Sequence, residues 1–237
     1  MAYDWQNRAT ARPATWADVD TGLRQYMLRV YNYMGAGLAL TGLVAYVAAA
    51  SGFYQSIYRS PIMWLVMLAP LGMVFFLSFR IQKMSLGAAQ ASFWTYAGLV
   101  GLSLAGIFLV YTGVSIASTF FITAAMFLGT SLYGYTTGRD LSGMGSFMFM
   151  GLIGIIVAGL VNMFLASPAL QFAISVIGVL VFTGLTAYDT QRIKEMYSAN
   201  DDGTIAGKKA IMGALALYLD FLNLFLFMLQ FMGQRRD

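Results

Sequence analysis

Seven apolar blocks run along the chain, at about 30–50, 62–79, 93–111, 114–134, 147–165, 170–188 and 210–232. Each is close to the roughly 20 residues that cross about 30 Å of hydrocarbon. Inside lipid every backbone N–H and C=O must find its partner within the protein, so uninterrupted apolar blocks of this length are helices. The strands of a membrane barrel would instead be short and alternate in polarity, and no such pattern occurs. The expected fold is an all-α membrane protein, a seven-transmembrane-helix bundle over residues 30–233, preceded by a polar tail at 1–29.

The connections refine this picture. Thr112-Gly113 parts the third and fourth blocks and Ala166–Ala169 the fifth and sixth, links so short that the helices they join must be antiparallel neighbours. The longest internal loop spans about 189–209 and holds the turn-forming run Asn200-Asp201-Asp202-Gly203. No Pro- or Ser-rich linker and no internal repeat divides the chain, so it reads as one domain. Residues 1–29 mix Asp4, Arg8, Arg12, Asp18, Asp20, Arg24 and Arg29 without an early apolar run, which is unlike a signal peptide.

Composition agrees with the blocks. The 237 residues are 59% hydrophobic and 10% charged, against about 25% charged in a soluble domain. There is no Cys and no His. That excludes a disulfide framework, a thiol nucleophile, a His metal site and a histidine pH switch, leaving carboxylates as the proton sensors. The net charge of +4 fits loops facing anionic lipid rather than nucleic acid. With a cytoplasmic N-terminus, eleven Lys and Arg fall on the inner side (Arg8, Arg12, Arg24, Arg29, Arg80, Lys83, Arg139, Arg192, Lys194, Lys208, Lys209) and three outside (Arg59, Arg235, Arg236). The bias supports that orientation. The Arg235-Arg236 pair runs against it and leaves open a last helix that breaks and returns the terminus inward.

Ionisable residues within a span cost a few kcal/mol each and need a reason. Asp220 lies near the middle of the last span, and Asp189 at the inner end of the sixth. The two are symmetric about the loop between them, so in a simple hairpin they face each other at one depth. Two carboxylates that close in a low dielectric share a proton rather than both ionising, and titrate as a pair. Ionised, they are hard oxygen ligands that suit a transient Ca²⁺. Arg80, ending the second span in the same half of the membrane, is the expected counter-ion. A structural reading stands beside this one, in which Arg192, one turn on, simply balances Asp189. Tyr188, Tyr218, Asn223 and Arg192 are expected as supporting polar groups, the tyrosine and asparagine of the last span chiefly as interhelical hydrogen-bond formers.

At these residues the chain resembles a known group. Ala187-Tyr188-Asp189-Thr190-Gln191-Arg192-Ile193 and Leu217-Tyr218-Leu219-Asp220-Phe221-Leu222-Asn223-Leu224-Phe225 look like the two signatures of the transmembrane Bax-inhibitor-motif family, and the hydropathy agrees over about 25–233. The resemblance implies a seven-helix bundle with the last helix central, a bacterial inner membrane, and a pH-sensitive calcium leak. It implies that Asp189 and Asp220 are the sensing aspartates and that Arg80 latches to them. Some relatives carry a further acidic residue in the second span; 62–79 has none. Other bacterial relatives are regarded as modulators of a membrane-bound protease, which gives the alternative expectation of a non-transporting regulator. An intramembrane aspartyl hydrolase would need a Gly-x-Gly-Asp motif that neither aspartate has, so no enzyme, no cofactor and no nucleic-acid partner is expected. The expected partners are the bilayer and a permeant cation.

Overall fold

The computed structural model describes residues 16–58 and 60–236, with side chains from Thr21 onward. The first fifteen positions, and with them most of the expected tail, lie outside the described residues, as does Arg59. Among the described residues the chain is helical throughout: α1 (Trp16–Ala50), α2 (Phe53–Ile57), α3 (Ile62–Arg80), α4 (Leu86–Leu104), α5 (Ile107–Val110), α6 (Gly113–Thr136), α7 (Ser142–Leu165), α8 (Pro168–Glu195) and α9 (Gly203–Met232). Seven stretches are long and apolar enough to cross a bilayer. They form the seven-transmembrane-helix bundle expected from the blocks.

The last helix sits at the centre. Two-thirds of its apolar window is buried, the largest share of the seven, and it packs against α8, α1, α6 and α4. Its neighbours hold their apolar outer faces to lipid; Phe79, Val114, Phe121, Met163 and Phe164 are among the exposed side chains. A water-soluble protein would not tolerate such a surface, whereas lipid is as apolar as the residues it meets.

Two elements differ from the hydropathy reading. First, α1 is helical from Trp16 and not from about 30, because Tyr26, Met27, Val30 and Met34 form an i, i+3, i+4 stripe that is buried in the core. Arg24 and Arg29 stand on the outer side of the same helix. Second, the third block is broken. Its helix starts at Leu86, ends at Leu104 and restarts as the single turn α5, since Ala105 and Gly106 lie against Tyr54 of α2.

The ends are defined. Seven crossings place the start of α1 and the end of α9 on opposite faces. The final residues do not re-enter: α9 is continuous to Met232, and Arg236 N and Thr112 N bond the carbonyls of Val110 and Gln234 beside the α5–α6 junction.

Candidate functional site

The site is built on the α8–α9 hairpin. Ser167 caps α8 by accepting from Leu170 N, with Pro168 in the first turn; Asp202 caps α9 by accepting from Ile205 N. Between them Lys209 Nζ donates to Met196 O at 2.9 Å and pairs with Asp201 at 2.6 Å. Further along, Gly213 meets Ile193, Gly178 lies against the Phe227 ring, and Ser175 Oγ donates to Gln230 Oε1 at 3.3 Å. These pairs fix one register, in which Ala216 is level with Asp189 and Asp220 lies one turn deeper. The simple mirror symmetry expected from the loop is therefore offset by a turn, and the side chains cross the offset. The carboxyls of Asp189 and Asp220 meet across that offset and act on one another. Two carboxyls this close hydrogen-bond only when one of them carries a proton. Asp220 is 4% exposed and its Oδ2 has no hydrogen-bond partner. Asp189 is half-buried.

A cavity of about 930 Å³ opens beside the pair between α7, α8 and α9. Tyr188, Arg192 and Asn223 line it together with both aspartates, and the rest of its wall is largely apolar. Gly145 of α7 makes room for the Tyr188 ring: a Cβ there would stand 2.5 Å from it. Asn223 Nδ2 donates to the Leu219 carbonyl of its own helix at 2.8 Å, which leaves its Oδ1 toward other partners. Two carboxylates and one amide oxygen fall short of the six to eight oxygens that Ca²⁺ takes, so they are not by themselves a closed cation site.

One expected member does not join the pair. Arg80 ends α3, which packs chiefly on α4 at the rim of the bundle; the guanidinium is exposed and makes no ion pair among the described residues. The cation acting on Asp189 is Arg192, one turn along α8. Tyr218 makes the interhelical hydrogen bond expected of it, away from the pair, whereas Asn223 bonds its own helix. Tyr218 is 0% exposed on the opposite side of α9, where its hydroxyl bonds Thr41 Oγ1 at 2.6 Å and its ring meets Phe93 and Tyr96 edge-on.

Other polar groups hold the site, and hydropathy did not reveal them. Gln191 is buried and clamps the α6–α7 turn, accepting from Leu141 N and donating to Arg139 O, both at 2.8 Å. Lys194 Nζ donates to Tyr135 O at 2.9 Å. Thr190, next to Asp189, bonds Ser131 of α6 at 2.8 Å, and Ser131 bonds Tyr31 of α1 at 2.5 Å. Thr119 and Thr123 of α6 are buried with unpartnered hydroxyls, each costing about 1–3 kcal/mol against a bonded state. The i, i+4 spacing of Ser115, Thr119 and Thr123 was the available signal.

Known proteins share this chain's length and sequence. A protein of Rickettsia prowazekii described as uncharacterized is 50% identical over 92% of this chain and 93% of its own. The inner membrane protein YbhL of Escherichia coli is 51% identical over 91% and 94%. An uncharacterized protein of Caulobacter vibrioides is 44% identical over 98% of both chains. The family model described as inhibitor of apoptosis-promoting Bax1 matches residues 23–237. With both signature aspartates in place on a seven-helix bundle, the chain belongs to this Bax-inhibitor family of membrane proteins.

Proposed function

We propose that the protein is a cation leak pathway of the bacterial inner membrane, with Ca²⁺ as its permeant ion, opened and closed by the protonation of Asp189 and Asp220. The observation that carries this reading is the meeting of the two carboxyls, with Asp220 buried and its Oδ2 without a hydrogen-bond partner. With one proton the pair holds α8 to α9. Without it, two negative charges face each other where water is scarce, so the helices part and the charges become a site for a passing cation. Arg192 is the counter-ion that makes the charged pair attainable. The role is transport rather than catalysis. The dry far half of α9, with Phe221, Leu224, Phe225, Met228 and Leu229 all buried, is the seal of the closed form.

The membrane assignment draws on the name of the Escherichia coli relative. A cytoplasmic N-terminus draws on the cations at one end of the bundle, including Lys83, Arg139, Lys194, Lys208 and Lys209. Asp220→Asn keeps a hydrogen-bonding amide but limits the pair to a single charge, so the two-charge state is never reached. In proteoliposomes it should lose the pH dependence of Ca²⁺ flux; flux that still follows pH in this variant rejects the mechanism.

A further inference from the structure

One buried face of α6 carries Ser115, Thr119, Thr123, Phe127, Ser131 and Gly134. It faces the α8–α9 hairpin: Phe127 and Phe221 meet edge-on at 5.5 Å, Ser131 bonds Thr190, and Gly134 touches the Ala187 backbone. Hydroxyls in membrane helices commonly bond the carbonyl one turn back or a neighbouring helix. Thr130 and Thr136 of the same helix do the first, and Ser131 does the second. Thr119 and Thr123, 1% and 0% exposed, do neither. Helix packing does not account for them, because an apolar side chain of the same shape would fill each place without an unpaired hydroxyl.

The ends of the face are informative. At one, Ser115 Oγ accepts from Gln234 N, beside the C-terminal end of α9. At the other, Ser131 is bonded to the residue following Asp189. Between them the Phe127–Phe221 contact interrupts the hydroxyls, and Phe221 follows Asp220 in sequence and packs also on Phe120.

We propose that this α6 face is one wall of the cation's route between the aspartate pair and the membrane face that holds Gln234, with Thr119 and Thr123 as oxygen donors to a partly hydrated cation and Phe127 against Phe221 as the constriction. Neutral hydroxyls replace some of a hard cation's water without trapping it, and two aromatic rings close a narrow passage by excluding water. The inference rests on the leak reading above and adds the path.

The chain has no cysteine, so single replacements report without background. Thr119→Cys, Thr123→Cys and, on the lipid side, Phe121→Cys (70% exposed) are reconstituted and treated with a small cationic methanethiosulfonate. The first two should be modified and lose Ca²⁺ flux on modification; Phe121→Cys should resist the charged reagent. Thr123→Val, which keeps the shape, should lower flux several-fold with no fall in melting temperature, whereas a structural hydroxyl would lower the melting temperature instead. Unmodified Thr119→Cys and Thr123→Cys in protein that conducts Ca²⁺ overturn the route and leave the leak standing. No flux from the wild type overturns the leak itself.

Discussion

Gly134 of α6 touches the backbone of Ala187 in α8, so that any side chain on the glycine would collide with the Ala187 carbonyl. Tyr188 and Asp189 follow directly, so the depth of the Asp189 carboxyl depends on two helices meeting without a side chain between them. Backbone cannot swing aside as a flexible side chain can. Gly134→Ala should therefore destabilise by about 1–3 kcal/mol. Gly129→Ala, which meets nothing within 4 Å on the same helix, should be neutral or stabilising by up to about 1 kcal/mol. Thermal melts of the two purified variants in one detergent check the contrast.

The two arginines differ in position. Both are exposed, but Arg192, one turn along α8, acts on Asp189, whereas Arg80 ends α3, which packs chiefly on α4. Removing a cation beside a carboxylate makes its charged form harder to reach. Arg192→Gln should move the midpoint of pH-dependent Ca²⁺ flux to higher pH, while Arg80→Gln leaves it in place. A shift for Arg80→Gln equal to that for Arg192→Gln would restore Arg80 as the latch.

Tyr218 tests whether neighbourhood in sequence means neighbourhood in function. Its hydroxyl serves Thr41, which also donates to Ala97 O at 2.9 Å. Tyr218→Phe removes one buried hydrogen bond, so stability should fall by about 0.5–1.5 kcal/mol. The pH profile of flux should stay as it is, because the side chain lies away from the carboxyl pair.

Asp140 gives a pH effect outside the membrane. Its Oδ1 accepts from Ser142 N at 2.8 Å at the start of α7, and hydrogen bonds with Ser142 hold its carboxyl below the usual carboxylate range. A depressed folded value means that the contribution is full above the unfolded value, about 3.9, and is lost as pH falls through the folded one. Asp140→Asn should thus narrow the stability difference between pH 6 and pH 3 slightly, read from paired thermal melts. An unchanged difference would remove Asp140 as a contributor.

How much of this was legible in the sequence follows from what each signal measures. Block hydropathy reports the solvent, so seven crossings and their order were readable. It is blind to amphipathic extensions, and α1 was cut short because Arg24 and Arg29 share its first turns with the buried Tyr26, Met27 and Val30. Asp189 and Asp220 were visible because a carboxylate in an apolar run is conspicuous. Arg80 was placed by depth alone, and depth says nothing of position around the bundle, which packing of α3 on α4 decides. Thr119 and Thr123 give no signal in hydropathy, since a threonine barely changes its average; only the burial of their face gives them weight.

The fastening of the chain's last residues also bears on how the protein can be instrumented. Arg236 and Gln234 are clasped to Val110 and Thr112, across the bundle from the turn held by Lys209 and Asp201. A reporter fused after the last residue and one inserted near Asn200 would sit in different compartments. Their paired fluorescence would read the sidedness of the whole molecule in a living cell.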